Sequence, residues 1–293
     1  MSESFALADP LRQLDPRFDA GTDGCLSGKP TLGIVLGSGL GGLADQIEDA
    51  VVIPFSDIDG IPTSTAIGHR GQFILGQLAG MPTIAMAGRL HSYEGHDLPT
   101  ITRPLAVMRD AGVTHLVVSC AAGGLNPRFA AGDVAVLDER MSWLGGAMGR
   151  PVGLQRINDA FPPVPLPVEK TVDTKMLGMA ENVAHRDGFR LHRATYLAVN
   201  GPNYETRAEC RMMRTLGVDV VGMSTVPELI AAHALGMAVL PIAVVTNMAI
   251  PDCPVTADHA DVLEVSNRAG EKLQSIVVHM AATLAGEAEE NAT

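Results

Sequence analysis

Arg89, His91, Tyr93, Glu94 and His96 crowd into the string GRLHSYEGH. An arginine offers a planar fork of donors suited to phosphate oxygens, and a histidine adds another. The same string also fits a solvated turn holding one satisfied histidine. A second anion-binding candidate is GSGLGG, where Gly37, Gly39 and Gly42 form GxGxxG directly after an apolar run. Such a turn exposes backbone N–H groups, and Ser38 adds a hydroxyl donor. Asp57 or Asp59, about 20 residues on, suits the ribose-binding carboxylate of a dinucleotide fold. A plain tight turn and another kind of phosphate loop fit the string equally well. No Walker-type lysine follows it, which argues against a nucleotide triphosphatase.

Three further strings carry groups able to read a heterocycle or a sugar. In NGPNYETRAEC, Glu205 can accept two N–H donors from a base edge and Tyr204 can lie against its face. Glu205 also fits the first turn of the next helix, where its charge is favoured. Thr246 and Asn247 bring a side-chain amide with both donor and acceptor, a residue type also common in turns. In VGMSTVPE, Ser224 or Thr225 caps a helix opened by Pro227, with Glu228 in its first turn. Capping and anion binding are compatible there, because the positive helix end serves both. His259 stands near the start of the last helix, where a capping or surface role competes with a ligand role. HExxH and paired-cysteine zinc spacings are both missing, so no metal is expected.

Apolar periodicity places these groups. Strands are predicted at TLGIVLG, MPTIAMAG, HLVVSC, VAVLD, RATYLAV, VDVVG and AVLPIAVVT. Helices are predicted from Leu98 to Gly112, from Val172 to Gly188, over RAECRMMRTLG, over PELIAAHALG and from Val262 through Met280. Alternating strands and helices imply a single α/β domain over residues 31–285 with a mixed, largely parallel sheet flanked by helices. Residues 1–30 read as an N-terminal arm and 286–293 as a frayed tail. FPPVPLP is a proline-rich loop. Ser38, Arg89, His91, Ala121, Glu205, Ser224 and Asn247 each follow a predicted strand. Parallel strands bring such ends to one edge, where ligands bind in open α/β sheets.

The 293 residues are 46% hydrophobic, enough to bury a sizeable core. Acidic residues number 33 against 21 basic ones, for a net charge of -12. With no stretch dense in Lys and Arg, a nucleic-acid partner is not expected. Cys25, Cys120, Cys210 and Cys253 are widely spaced, which fits a reducing compartment. The N-terminus lacks a basic leader with an apolar core, and no run has the length of a membrane span. A cytoplasmic protein without a membrane partner is expected.

Taken together, GSGLG, GHRG, GRLHSYEGH, AAGGLNP, GPNYETRAE, VGMSTVPE and VTN, followed by His259, resemble the low-molecular-mass, trimeric purine nucleoside phosphorylases. The resemblance is collinear over about residues 25 to 285. It implies a partly barrel-like sheet and phosphorolysis of 6-oxopurine nucleosides, inosine and guanosine among them, to free base and α-(deoxy)ribose 1-phosphate. It places Ser38, His69, Arg89, His91, the backbone at Ala121, and Ser224 around phosphate. Tyr93, Met223 and His259 fall at the ribose, and Tyr204, Glu205 and Asn247 at the base, with His91, Glu205 and Asn247 the catalytic set. Phe161 is the aromatic that a neighbouring subunit would supply, with Leu154 or Phe129 as other candidates for that apolar wall. The resemblance thus implies a homotrimer, or a dimer of trimers, with inorganic phosphate as co-substrate and no cofactor.

Departures from the pattern are Tyr204 where some members have phenylalanine, Cys120 in place of an asparagine, and MSWLGG at 141–146. The related 5′-methylthioadenosine phosphorylases carry serine at the Glu205 position and aspartates near Asn247, which this chain does not. A nicotinamide-dependent dehydrogenase and a non-catalytic nucleotide-binding protein are the more distant alternatives.

Overall fold

The computed structural model describes residues 31–37, 41–66, 69–144, 171–251 and 259–290, the last stretch as backbone alone over most of its first ten residues. Ser38, Leu154, Phe161, the proline-rich loop and the N-terminal arm lie outside them. In chain order the strands are β1 (Leu32–Leu36), β2 (Glu48–Pro54), β3 (Gln72–Leu78), β4 (Met81–Ala87), β5 (His115–Gly124), β6 (Val134–Ser142), β7 (Leu191–Ala198), β8 (Val220–Gly222) and β9 (Ala238–Met248). The helices are α1 (Gly41–Ala44), α2 (Leu98–Ala111), α3 (Thr174–Arg186), α4 (Arg207–Thr215), α5 (Val226–Ala234) and α6 (His259–Glu290).

One mixed sheet holds the strands in the order β2-β3-β4-β1-β5-β8-β7-β6-β9, and β9 pairs back onto β5. Strands β5 to β9 thus close into a small barrel, and β1 to β4 extend from it as an open sheet. β1, β4, β5 and β9 run parallel, whereas β8 is antiparallel to β5 and β6 is antiparallel to β9. Closure satisfies the backbone groups that two open edges would leave unpaired. Small residues fill the barrel interior: Ala122, Ala135, Ala194, Ala198 and Ala243 pack around Tyr196 and Phe129.

The open sheet is covered on both faces. Along β1, Leu32, Ile34 and Leu36 face a core shared with α3 and α6, and Val35 faces one shared with α2 and α5. That alternation is the period of two that a strand imposes. α2 begins at Asp97, whose side chain accepts from Thr100 N–H, and stops at Gly112 with φ 123°. α6 runs to Glu290, into the segment expected to fray.

Two strands carried no sequence expectation. β2 and β3 pair antiparallel with each other, and β3 pairs antiparallel with β4 through a tight turn. In that turn Ala79 and Gly80 have φ 49° and 81°. A two-residue turn with both φ values positive matches strand twist, but Ala-Gly is a weak signal for it.

Candidate active site

Strand β5 forms the floor of the site. It overruns the predicted HLVVSC by Ala121, Ala122, Gly123 and Gly124. Cys120, Ala121, Ala122 and Gly123 line a cavity of about 500 Å³. Residues this small leave the strand backbone open to a ligand. At one end of this stretch the Ser119 carbonyl accepts from Arg89 Nη2. At the other, Gly123 pairs with Asn247 on β9. Four strand steps separate Ser119 from Gly123, about 13 Å.

The cavity gathers most of the residues singled out above. His69, Arg89, His91, Ala121 and Ser224 line it, as do Tyr93 and Met223, and so do Tyr204, Glu205 and Asn247. His259 is the first residue of α6, and its side chain is outside the described set. Asp57 and Asp59 are exposed and do not line the cavity, so neither serves it as a ribose-binding carboxylate. Phe129 packs on His192 inside the barrel, ring centroids 4.2 Å apart, and is no wall of this cavity.

Not every group of the cavity arrives on a parallel strand. β1, β4, β5 and β9 do deliver Gly37, Arg89, Ala121 and Asn247 from parallel strands. Met223 and Ser224 follow β8, and Tyr204 and Glu205 follow β7, and both strands run against β5. They reach the same cavity because β5 is long: Val221 pairs with Gly123, so the residues after Gly222 lie beside the middle of β5.

Arg89 is buried with its charge met from behind. Nη1 donates to Glu228 Oε1 at 3.1 Å, with both side chains almost fully enclosed. Glu228 lies in the first turn of its helix, as expected, and from there also reaches Arg89. Ser119 extends the network: its Oγ accepts from Gly37 N–H at 3.1 Å and donates to the Val35 carbonyl at 2.8 Å. Gly37 must be glycine here, because a Cβ would lie 2.7 Å from the Ser119 carbonyl oxygen.

His91 stacks on Tyr93 at 4.7 Å between ring centroids, with His69 on its other neighbour side at 5.0 Å. Its Nδ1 lies 3.2 Å from Glu94 Oε1, which also accepts from His91 N–H at 2.8 Å. An ionised carboxylate only accepts, so Nδ1 carries the proton and neutral His91 keeps Nε2 as an acceptor. Burial pushes the imidazole down to about 3, with the Arg89 and His69 charges acting in the same direction against Glu94. Glu94 Oε2 in turn accepts from Thr65 N–H at 2.6 Å and Thr65 Oγ1 at 2.8 Å. This fixes the 64–66 segment, and Thr65 and Ala66 line the cavity. No sequence signal marked either residue. The Arg89 backbone N–H donates to His69 Nδ1 at 3.1 Å, and His69 sits close against Gly88.

Ser224 is held by a turn rather than by a cap. Thr225 has φ 70° and ψ -49°, and its side chain makes no capping bond to α5. Val226 N–H donates to the Ser224 carbonyl at 2.8 Å, closing a γ-turn with positive φ at its centre. That conformation is rare and strained for a β-branched residue. Tyr196, fully buried in the barrel, holds the turn: its Oη donates to the Ser224 carbonyl at 3.1 Å and accepts Ser224 N–H at 3.3 Å.

Glu205 precedes α4 instead of lying in its first turn. Thr206 is the cap, in a reciprocal capping box with Glu209. Glu205 is free to line the cavity, where burial, and then the Glu209 charge, push its carboxyl up. Asn247 owes its place to a β-bulge: Ala122 pairs with Val245 and Gly123 with Asn247, leaving Thr246 as the extra residue. A bulge re-aims side chains, and both Thr246 and Asn247 line the cavity. Thr246 Oγ1 donates to Asn247 Oδ1 at 3.1 Å.

Among the described residues no group of three His, Cys, Asp or Glu could hold a metal ion, and no helix is long and apolar enough to cross a membrane. Residues 31–282 match the model of the Phosphorylase superfamily. Purine nucleoside phosphorylase 1 of Geobacillus stearothermophilus is 43% identical over 242 residues, covering 82% of this chain and 86% of that protein. The Bos taurus purine nucleoside phosphorylase is 37% identical over 263 residues, covering 87% and 90%. Among solved structures, a Schistosoma purine nucleoside phosphorylase in complex with hypoxanthine superposes with a TM-score of 0.82 at 34% identity, covering 95% of this chain and 96% of that one. The Schistosoma mansoni enzyme in complex with adenosine gives the same TM-score and identity, covering 95% of each chain. The chain belongs to the phosphorylase superfamily, and within it to the low-molecular-mass purine nucleoside phosphorylases.

Proposed function

We propose that the cavity described above is the active site and that it is built for 6-oxopurine nucleosides. The chain catalyses reversible phosphorolysis of purine nucleosides to free base and ribose 1-phosphate. The observation that carries the site assignment is the course of β5, which leads from Arg89 at Ser119 to Asn247 at Gly123 along one cavity.

In this reading Arg89, His91, His69, Ser224, the Ala121 backbone and Ser38 hold phosphate. A phosphate dianion retains one P–OH, which suits the Nε2 lone pair of neutral His91. The remaining oxygens face cationic and N–H donors, and one of them attacks the anomeric carbon from below the sugar, with inversion. Tyr93, Met223 and His259 hold the ribose. As the glycosidic bond lengthens, negative charge develops on the purine, and donors aimed at that charge lower the barrier. Thr246 Oγ1 lies 3.1 Å from Asn247 Oδ1, which orients the amide with its Nδ2–H₂ group toward N7 and O6. Glu205 accepts from N1–H and from a 2-amino group, and the Tyr204 ring covers the base.

Phe161 from a neighbouring subunit completes the ribose wall, in a homotrimer or a dimer of trimers in the cytoplasm. The half-exposed Tyr204 ring, with 51% of its surface accessible in the single chain, supports a neighbour there. Purified protein given inosine should release hypoxanthine rapidly with inorganic phosphate and negligibly without it. Hydrolysis independent of phosphate would overturn the reading. Sedimentation showing a fully active monomer would remove the shared wall.

A further inference from the structure

We infer that Glu228 is a positioning residue that aims the Arg89 guanidinium at phosphate, an inference that rests on the phosphorolytic reading of the cavity. Arg89 and Glu228 are 2% and 1% exposed, and they meet from different elements, Arg89 after β4 and Glu228 in the first turn of α5. Enclosing two charges is costly, and a buried ion pair is by itself weak evidence of a gain in stability. This pair is also incomplete. Only Oε1 reaches Arg89, and Oε2 is buried without a hydrogen-bond partner among the described residues. A pair kept for stability alone would be expected to use the two-oxygen fork that Arg and Glu can form.

The single contact makes sense as one of two anchors. Glu228 holds Nη1 and the Ser119 carbonyl holds Nη2, so two fixed acceptors set the plane of the guanidinium. Each terminal nitrogen keeps a second N–H, and Nε keeps one more, for an anion in the cavity that Arg89 lines. Both anchors belong to the site's own frame. Ser119 also holds Gly37 N–H just past the end of β1, and α5 follows directly from the Ser224–Thr225 turn. Phosphate therefore meets an arginine already oriented with the two other segments assigned to it, which lowers the ordering cost of binding.

Reach and charge are separated by two conservative variants. Glu228→Gln keeps an oxygen at the same distance and removes the charge, whereas Glu228→Asp keeps the charge and withdraws the oxygen by one methylene. Steady-state phosphorolysis of inosine is measured with each substrate varied in turn, and inorganic phosphate alone is tested for its effect on Tm. We expect E228D to raise KM for phosphate by at least about fivefold and to lose most of the phosphate-induced Tm rise. E228Q should stay within about threefold of wild type, with KM for inosine within about twofold in both variants. The inference is overturned if E228D binds phosphate like wild type, if E228Q is the more impaired of the two, or if both KM values rise together. Wild type that fails to cleave inosine with phosphate would sink the phosphorolytic reading instead. The Tm series would still report whether Glu228 governs phosphate binding.

Discussion

Asn247 stands opposite Gly123 across the β5–β9 pairing, one residue past a bulge that sets Thr246 aside and lets its hydroxyl bond Asn247 Oδ1 at 3.1 Å. The bond engages one lone pair of Oδ1, and in the proposed reading the Nδ2–H₂ donors face the base. Hypoxanthine and guanine offer acceptors at N7 and O6 and a donor at N1. Adenine presents a lone pair at N1, facing Glu205, and a 6-amino group facing another donor.

Mismatched buried polar groups discriminate strongly. Wild type should prefer inosine over adenosine by roughly a thousandfold in kcat/KM, about 4 kcal/mol. Asn247→Asp replaces the donor with a carboxylate that repels O6 and accepts from a 6-amino group, and should cut that ratio by at least about tenfold. Glu205→Gln should weaken inosine use without creating strong adenosine activity. Equal use of the two nucleosides by wild type, or an unchanged ratio in N247D, would show that these two residues do not read the base.

The Ser224 turn yields a second expectation. Tyr196→Phe removes the hydroxyl that bonds both Ser224 N–H and Ser224 C=O. It should cost about 1–2 kcal/mol, since the part-buried Ser224 N–H loses its partner while the carbonyl keeps Val226 N–H. With Thr225 at φ 70°, the freed turn should relax and move Ser224, raising KM for phosphate more than KM for inosine. Denaturant midpoints and the two KM values check both halves.

The strings that carry the chemistry were legible in the sequence because strand-end loops must be polar and specific, whereas strand interiors only need to be apolar. Arg89, His91, Glu205, Ser224 and Asn247 were found this way and share one cavity. Less visible was how the strands are joined. HLVVSC reads as ending at Cys120, yet β5 continues through AAGG, where small residues give no hydrophobic period. That overrun is what allows the antiparallel β8 to deliver Met223 and Ser224. Glu228 was read only through its helix position, because an acid in a first turn has an adequate local explanation. Its burial depends on Arg89, 139 residues away. The Thr246 bulge adds one residue to a run that looks like an uninterrupted strand.

Gly201 predicts a defect on the sugar side. It has φ 69°, and an added Cβ would collide with the Met223 thioether and lie 3.2 Å from Tyr93 Cδ1. Gly201→Ala therefore combines backbone strain with displacement of two residues assigned to the ribose. KM for inosine should rise about fivefold or more, with KM for phosphate changed by less than about twofold. The pattern is the reverse of that expected for Y196F, so the pair of variants tests whether the cavity divides as proposed. Equal effects on both substrates would mean that it does not.

His91 ties stability to acidity in a direction that its environment fixes. In the unfolded chain it titrates near the ordinary imidazole value of 6.5, whereas in the fold burial first, then Arg89 and His69, hold it down at about 3. Between those values the unfolded state binds a proton at residue 91 that the folded state does not. Stability therefore rises with pH across this window, is complete above pH 6.5, and is lost as pH falls toward 3. Each pH unit inside the window is worth about 1.4 kcal/mol for a fully displaced group. His91→Asn keeps an N–H for Glu94 Oε1 and cannot titrate. His115 is also pushed down, mainly by burial, but it is common to both proteins and cancels in their difference. Between pH 7 and pH 5, urea unfolding should show wild type losing roughly 1–2 kcal/mol more than H91N. Parallel losses in the two proteins would mean that His91 is protonated in the folded state at pH 5, and Nε2 would then be a donor to phosphate rather than the acceptor for its P–OH.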